Sequence, residues 1–326
     1  MIFKGIAATT QVDAHNMRIT KTALEHAAQD INNGKYASSV GIEHDLTIMP
    51  VGKVYKAYVD KFDQDEYALH IEQEIFDKAY TTFIDDEKFV MTKSEFDNRP
   101  FSFDRLLDNE KLVIQTDPVN FESFEKSEEY LSNLSAEFDI DTGKISRKSA
   151  IPDPELIFEL VESSVKYLFI YLTSKQVIEH IGDNLVESAL NELKNLSQVI
   201  KKAIKTGASY LLPQNRPVTY VFKGSINYVI EFVVKTSNPD VAINAISKDK
   251  LKEVFEKIDG IREQFSALQK VQFIYNENEY RWEFNYLTTE KGEVIGTEKS
   301  YKRAAKLIAL HFGEPGTKSV SIGGSI

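Results

Sequence analysis

Cysteine is absent from all 326 residues. That excludes a disulfide framework, thiolate zinc sites, iron–sulfur ligation and a cysteine nucleophile, and it fits a reducing compartment. Proline and glycine are sparse, at 9 and 15 residues, too few for a collagenous or low-complexity chain. No window approaches the roughly eighteen uncharged apolar residues that a membrane-spanning helix requires. The opening Met1-Ile2-Phe3-Lys4-Gly5 has neither a long apolar run nor a small-residue cleavage site. A soluble, cytoplasmic chain is therefore expected, with no membrane segment. There is no phosphate-binding Gly-x4-Gly-Lys-Ser/Thr loop and no Gly-x-Gly-x-x-Gly after a strand, which argues against an NTPase or a dehydrogenase. His15, His26, His70, His180 and His311 are scattered singly, without metal-ligand spacing, so neither a metal nor a cofactor is expected.

What is present suits a folded chain: 42% hydrophobic, 27% charged and 11% aromatic residues. The net charge of −11 is unevenly placed. Residues 1–150 hold 17 Lys and Arg against 28 Asp and Glu, while residues 151–326 hold 22 of each. A negative surface repels phosphate backbones, so residues 1–150 are poorly suited to nucleic acid, and residues 211–326 are left open.

The length suggests two domains, and Ile151-Pro152-Asp153-Pro154 is the strongest punctuation, because two prolines block helix propagation. The predicted class is α+β in three parts: a small mixed domain over 1–150, a helical hairpin over 151–210, and an antiparallel sheet with covering helices over 211–326. In the first part, strands are expected at 2–8, 52–59 and 67–75, with a helix from an N-cap at Thr20 to about Asn32. In the second, Leu156, Ile157, Leu160, Val161, Val165, Leu168, Phe169 and Leu172 recur at helical steps. So do Leu185 to Ala203, with Gly207 placed as a C-cap. In the third, a hairpin at 218–222 and 226–235 precedes a helix over 247–268. Strands at 271–275, 280–287 and 293–297 then lead to a helix from an N-cap at Ser300 to Phe312.

The sharpest local signal is Glu43-His44-Asp45-Leu46-Thr47-Ile48-Met49-Pro50-Val51-Gly52-Lys53-Val54, in which two carboxylates flank an imidazole as a general base would need. An exposed loop histidine would give the same triplet. From Gly5 to Ile75 the chain resembles the N-terminal part of phage prohead (capsid-maturation) proteases, in four respects. These are an opening strand, an Asp13-Ala14-His15 turn, a helix starting at Ile19-Thr20, and a histidine motif whose Pro50-Val51-Gly52-Lys53-Val54 leads into a strand. The resemblance implies that His44 is the base of a serine endopeptidase acting on capsid-type or other proteins. It also implies a phage origin or a bacterial response to phage.

The family's serine lies downstream and is followed closely by glycine, yet no Ser-x-Gly occurs between His44 and Pro152. Ser94, Ser102, Ser123, Ser132 and Ser135 are the candidates, Ser135 being favoured and Asp117 being the candidate acidic partner. Each is equally a cap or a turn residue. Residues 77–109 are read as a polar, mobile insertion. Ser319-Val320-Ser321-Ile322-Gly323-Gly324 spells the serine pattern, but it is read as a flexible end. Lys299, Lys302, Arg303 and Lys306, beside the aromatic strand at 280–286, form a candidate binding patch for nucleic acid, an acidic peptide or the chain's own acidic half. The missing Ser-x-Gly and the unmatched second half favour a protein-binding or assembly module on a protease-like fold, acting through a protein partner or self-assembly. The active peptidase is the alternative.

Overall fold

The computed structural model describes residues 1–12, 18–42, 45–84, 87–102, 109–145, 153–173, 183–265 and 267–312. Two sheets organise them, in a mixed α+β fold. The smaller is antiparallel, in the order β1 (Ile2–Thr9), β4 (Glu66–Ile75), β3 (Gly52–Asp63), β2 (Ser38–Val40). Helix α1 (Lys21–Asn33) begins at Thr20, whose hydroxyl accepts from the Ala23 N–H, and it buries Leu24, Ala28 and Ile31, the stripe its spacing predicts.

The larger sheet has ten strands. In spatial order they are β5 (Tyr80–Ile84), β6 (Glu87–Lys93), β14 (Glu293–Gly296), β13 (Arg281–Thr289), β12 (Leu268–Asn276), β11 (Val229–Thr236), β10 (Val218–Ser225), β9 (Glu155–Glu159), β7 (Val113–Thr116) and β8 (Asp141–Lys144). Strands β5 to β8 precede Pro152 and β9 to β14 follow it, so the sheet is continuous across the proline segment. The expected mobile insertion at 77–109 instead supplies β5 and β6, and beyond them Phe101 is fully buried.

The sheet is mixed where an antiparallel one was expected: β9 runs parallel to β10, β11 to β12 and β7 to β8. The β11-to-β12 connection carries α5 (Pro239–Ala245) and α6 (Lys248–Gln264), and a helical crossover of this length returns the chain in the same direction. Leu156 and Ile157, predicted helical, lie in β9. All five residues of that strand are buried, and a short apolar run buried on both faces loses the alternation that distinguishes strand from helix. The helical hairpin is α3 (Glu162–Thr173) followed by α4 (Asp183–Tyr210). Gly207 lies inside α4, not at its end. A side chain there would press on Tyr130 of α2 (Phe124–Glu137), whose hydroxyl donates to the Ala203 carbonyl at 3.0 Å.

Alternation gives the ten-stranded sheet two different faces. On one, Leu156, Phe158, Tyr220, Phe222, Phe232 and Phe273 meet α2, α4 and α6 in the main core. On the other, a small cluster of Ile157, Val221 and Val233 takes in Leu46, Ile145 and Ile274. Helix α7 (Glu298–Phe312) starts three residues earlier than predicted from a cap at Ser300. Thr297 is the capping residue, its Oγ1 accepting from the Ser300 N–H at 3.0 Å. Ala304 of α7, with Tyr286 and Val294, joins the core of the small sheet beside Leu24, Ile31 and Leu69.

The seam between the sheets holds a buried lysine. Lys53 of β3 donates to the carbonyls of Asp97 at 2.8 Å and Arg99 at 2.5 Å and lies 4.8 Å from the Phe101 ring centre. Burial pushes its pKa down to about 8 from 10.5, against the pull of Asp97. Between those two values the unfolded chain holds a proton that the folded one has released, so stability rises with pH across that window. Below pH 8 the buried charge weighs fully against the fold. Urea denaturation from pH 7.5 to 10.5 should show this rise in the wild type and a flatter profile in Lys53→Met.

Candidate functional site

The loop from β2 to β3 carries the histidine motif. Glu43 and His44 lie outside the described residues, but Asp45 to Val51 show how the loop is held. The Asp45 carboxylate folds back on its own turn, accepting from the Thr47 N–H at 2.9 Å and the Thr47 hydroxyl at 2.5 Å. Its second oxygen takes the guanidinium of Arg303, in α7, at 2.9 Å, with Lys235 at 3.9 Å. The charge of Asp45 is therefore matched by cations of the second half of the chain.

The next two residues are tied to the polar side of the ten-stranded sheet. Gln272 of β12 donates to the Leu46 carbonyl at 2.8 Å, and Asn285 of β13 donates to the Thr47 carbonyl at 3.0 Å. Behind them the Lys270 ammonium meets the Glu231 carboxylate at 2.8 Å, with both side chains almost wholly buried. Burial alone would raise the pKa of Glu231, but Lys270 and Lys223 hold it below the usual carboxylate range. Burial would lower that of Lys270, and Glu231 holds it above the ordinary lysine value. None of these four residues was singled out from sequence. The available signal was polar side chains set between apolar neighbours within strands, as in Ile230-Glu231-Phe232, Val271-Gln272-Phe273 and Phe284-Asn285-Tyr286.

The other candidates fall elsewhere. Ser135 is exposed on α2 and donates to the Ser132 carbonyl at 3.2 Å. Tyr130, Leu131 and Leu134 of that helix pack with Leu156 and Phe158, whereas Leu46 packs with Ile157. Ser135 and the segment after His44 thus lie on opposite faces of the sheet and are not brought together. Asp117 is fully buried and caps a 3-10 helix at Pro118–Asn120, accepting from the Val119 N–H at 3.0 Å. Ser94 is buried and hydrogen-bonded to Glu74, Ser123 caps α2, and the Ser102 N–H donates to the Ala37 carbonyl. Ser319 and Ser321 lie outside the described residues.

Three cations of the candidate patch are matched: Lys299 by Glu283 at 3.0 Å, Lys302 by Glu298 at 3.1 Å, and Arg303 by Asp45. Lys306 is exposed. Arg303 thus meets the acidic first half within the same chain. Lys299 and Arg303 also border a cleft of about 1000 Å³ between α6, β13 and the start of α7. Glu87, Glu253, Glu256 and Glu283 line it as well, beside Trp282 and Phe284. Walls of both signs suit a polypeptide better than a phosphate backbone. Among the described residues no group of three His, Asp or Glu side chains could hold a metal ion, and no helix is long and apolar enough to cross a membrane. Comparison with protein-family models, with characterised proteins and with solved structures finds no match to this chain in any of the three.

Proposed function

We propose that the small sheet and α7 form a serine-endopeptidase unit of prohead-protease type, with His44 as general base, and that the ten-stranded sheet is inserted within it as a protein-binding or assembly domain. The observation that carries this reading is the return of α7. After more than two hundred residues of inserted sheet, the helix joins the core of the small sheet, and its Arg303 grips Asp45, the neighbour of His44. In sequence, the Ser-x-Gly that follows α7 is Ser321-Ile322-Gly323. Eight residues lie between Phe312 and Ser321, and nine Cα-to-Cα steps set an upper limit of about 30 Å on the distance. An insertion of this size also accounts for the lack of a Ser-x-Gly before Pro152. The mixed-charge cleft supports the binding role of the inserted domain, and a link to phage rests on the resemblance.

The test is active-site labelling with a fluorophosphonate probe. Wild type should label, His44→Ala and Ser321→Ala should lose labelling while staying folded, and Ser135→Ala should label as wild type does. A folded wild type that never labels would overturn the catalytic part of the reading and leave a module that only binds protein.

A further inference from the structure

We propose that Gln272 and Asn285 are positioning residues that hold the His44 loop and the start of α7 in one fixed relation; this rests on the peptidase reading above. The observation is a single buried chain of hydrogen bonds whose direction is set at one end by charge. Glu231, paired with Lys270, can only accept, so Gln272 turns its NH2 group toward it at 2.5 Å and spends the other hydrogen on the Leu46 carbonyl. The Gln272 oxygen then faces the NH2 of Asn285 at 2.5 Å, whose second hydrogen goes to the Thr47 carbonyl. The Asn285 oxygen in turn accepts from the Ser300 hydroxyl at 2.7 Å, and Ser300 Oγ lies 2.7 Å from Thr297 Oγ1, the cap of α7. Every hydrogen of both amides is used, so neither amide can flip without breaking the chain.

Asn285 therefore touches both the loop that follows His44 and the start of the helix that precedes Ser321 in the sequence, the two segments that the proposed mechanism must align. Apolar side chains would hold a loop against a sheet at less desolvation cost, but they would not fix its carbonyls in direction. The charged groups around the segment are Asp45 on the loop, Lys235 on β11, Arg303 on α7, and the Glu231–Lys270 pair beneath.

The experiment follows the His44 ring by NMR of histidine-labelled full-length protein through a pH titration, with the resonance assigned by His44→Gln, alongside labelling rates. Gln272→Ala and Asn285→Ala should each move the His44 titration and slow labelling about tenfold to a hundredfold. Leu131→Ala, a destabilising change on the opposite face of the sheet, should move neither. If the titration and the rate in both amide variants match those of wild type, the positioning role is wrong even though the peptidase reading stands. If wild type never labels but the amide variants alone shift the titration, the peptidase reading fails and the positioning of the loop holds.

Discussion

Lys270→Met is expected to destabilise the protein by about 3–5 kcal/mol, because it leaves the Glu231 carboxylate buried without its partner. The two side chains are 8% and 2% exposed, so solvent cannot replace the lost charge; Gln272 offers Glu231 only an amide hydrogen bond, and Lys223, opposite Glu231 on β10, is the cation that remains. The loss should be smaller in acid, since a protonated Glu231 is far less costly to bury than an ionised one. The deficit should therefore grow as pH rises from 4 to 7. Glu231→Leu combined with Lys270→Met should recover most of the loss, since replacing both partners with apolar groups removes the desolvation burden along with the attraction. Urea titration of the two variants checks this. A Lys270→Met protein within 1 kcal/mol of wild type would mean that the pair is wetter than its burial indicates. Because Gln272 leans on Glu231, the single variant should also loosen the loop at Leu46, which hydrogen exchange at the Ile48 and Val51 amides would register.

Local rules reached the elements whose patterns are unambiguous. The Thr20 cap and the Leu24, Ala28, Ile31 stripe gave α1 almost to the residue, and the stripe of Leu251, Val254, Phe255, Ile258 and Ile261 gave α6. They failed where long-range partners decide. In β9 the run Glu155-Leu156-Ile157-Phe158-Glu159 is strand because β7 and β10 flank it, a fact not contained in its own spacing. Residues 80–93 read as a polar insertion because Thr81, Thr82, Asp85 and Asp86 dilute the pattern, yet β6 is held by β14, some two hundred residues away. The candidate site divides in the same way. The His44 loop is visible as a motif, but its supports are not, since the bond from Gln272 to Leu46 spans 226 positions. A polar side chain in mid-strand shows that a partner exists without showing which. Ser135 illustrates the converse: a plausible local context placed it on the helix-covered face, away from the loop it was meant to serve.

Gly292→Ala should cost about 4 kcal/mol, the other large effect expected, and it acts at the seam where the two sheets meet. Gly292 closes the turn from β13 to β14 with φ at +69°, a left-handed conformation in which a side chain costs about 1–2 kcal/mol. A Cβ there would also overlap the Lys53 ammonium and the Arg99 carbonyl oxygen, the two groups that hydrogen-bond each other beneath the turn. Lysine is a flexible neighbour in general, but this one is fully buried and bonded at two carbonyls. Arg99 is no freer, for its guanidinium grips Asp97 and donates to the Ile31 and Gly34 carbonyls at the end of α1. Overpacking of such a site adds about 1–3 kcal/mol. The two contributions can be separated in a double-mutant cycle with Lys53→Ala, which clears the ammonium and leaves the backbone strain. Gly292→Ala measured in that background should cost only the conformational part plus whatever the Arg99 carbonyl still demands. Equal costs in the two backgrounds would show that Lys53 moves aside freely, and that the seam is softer than its hydrogen bonds indicate.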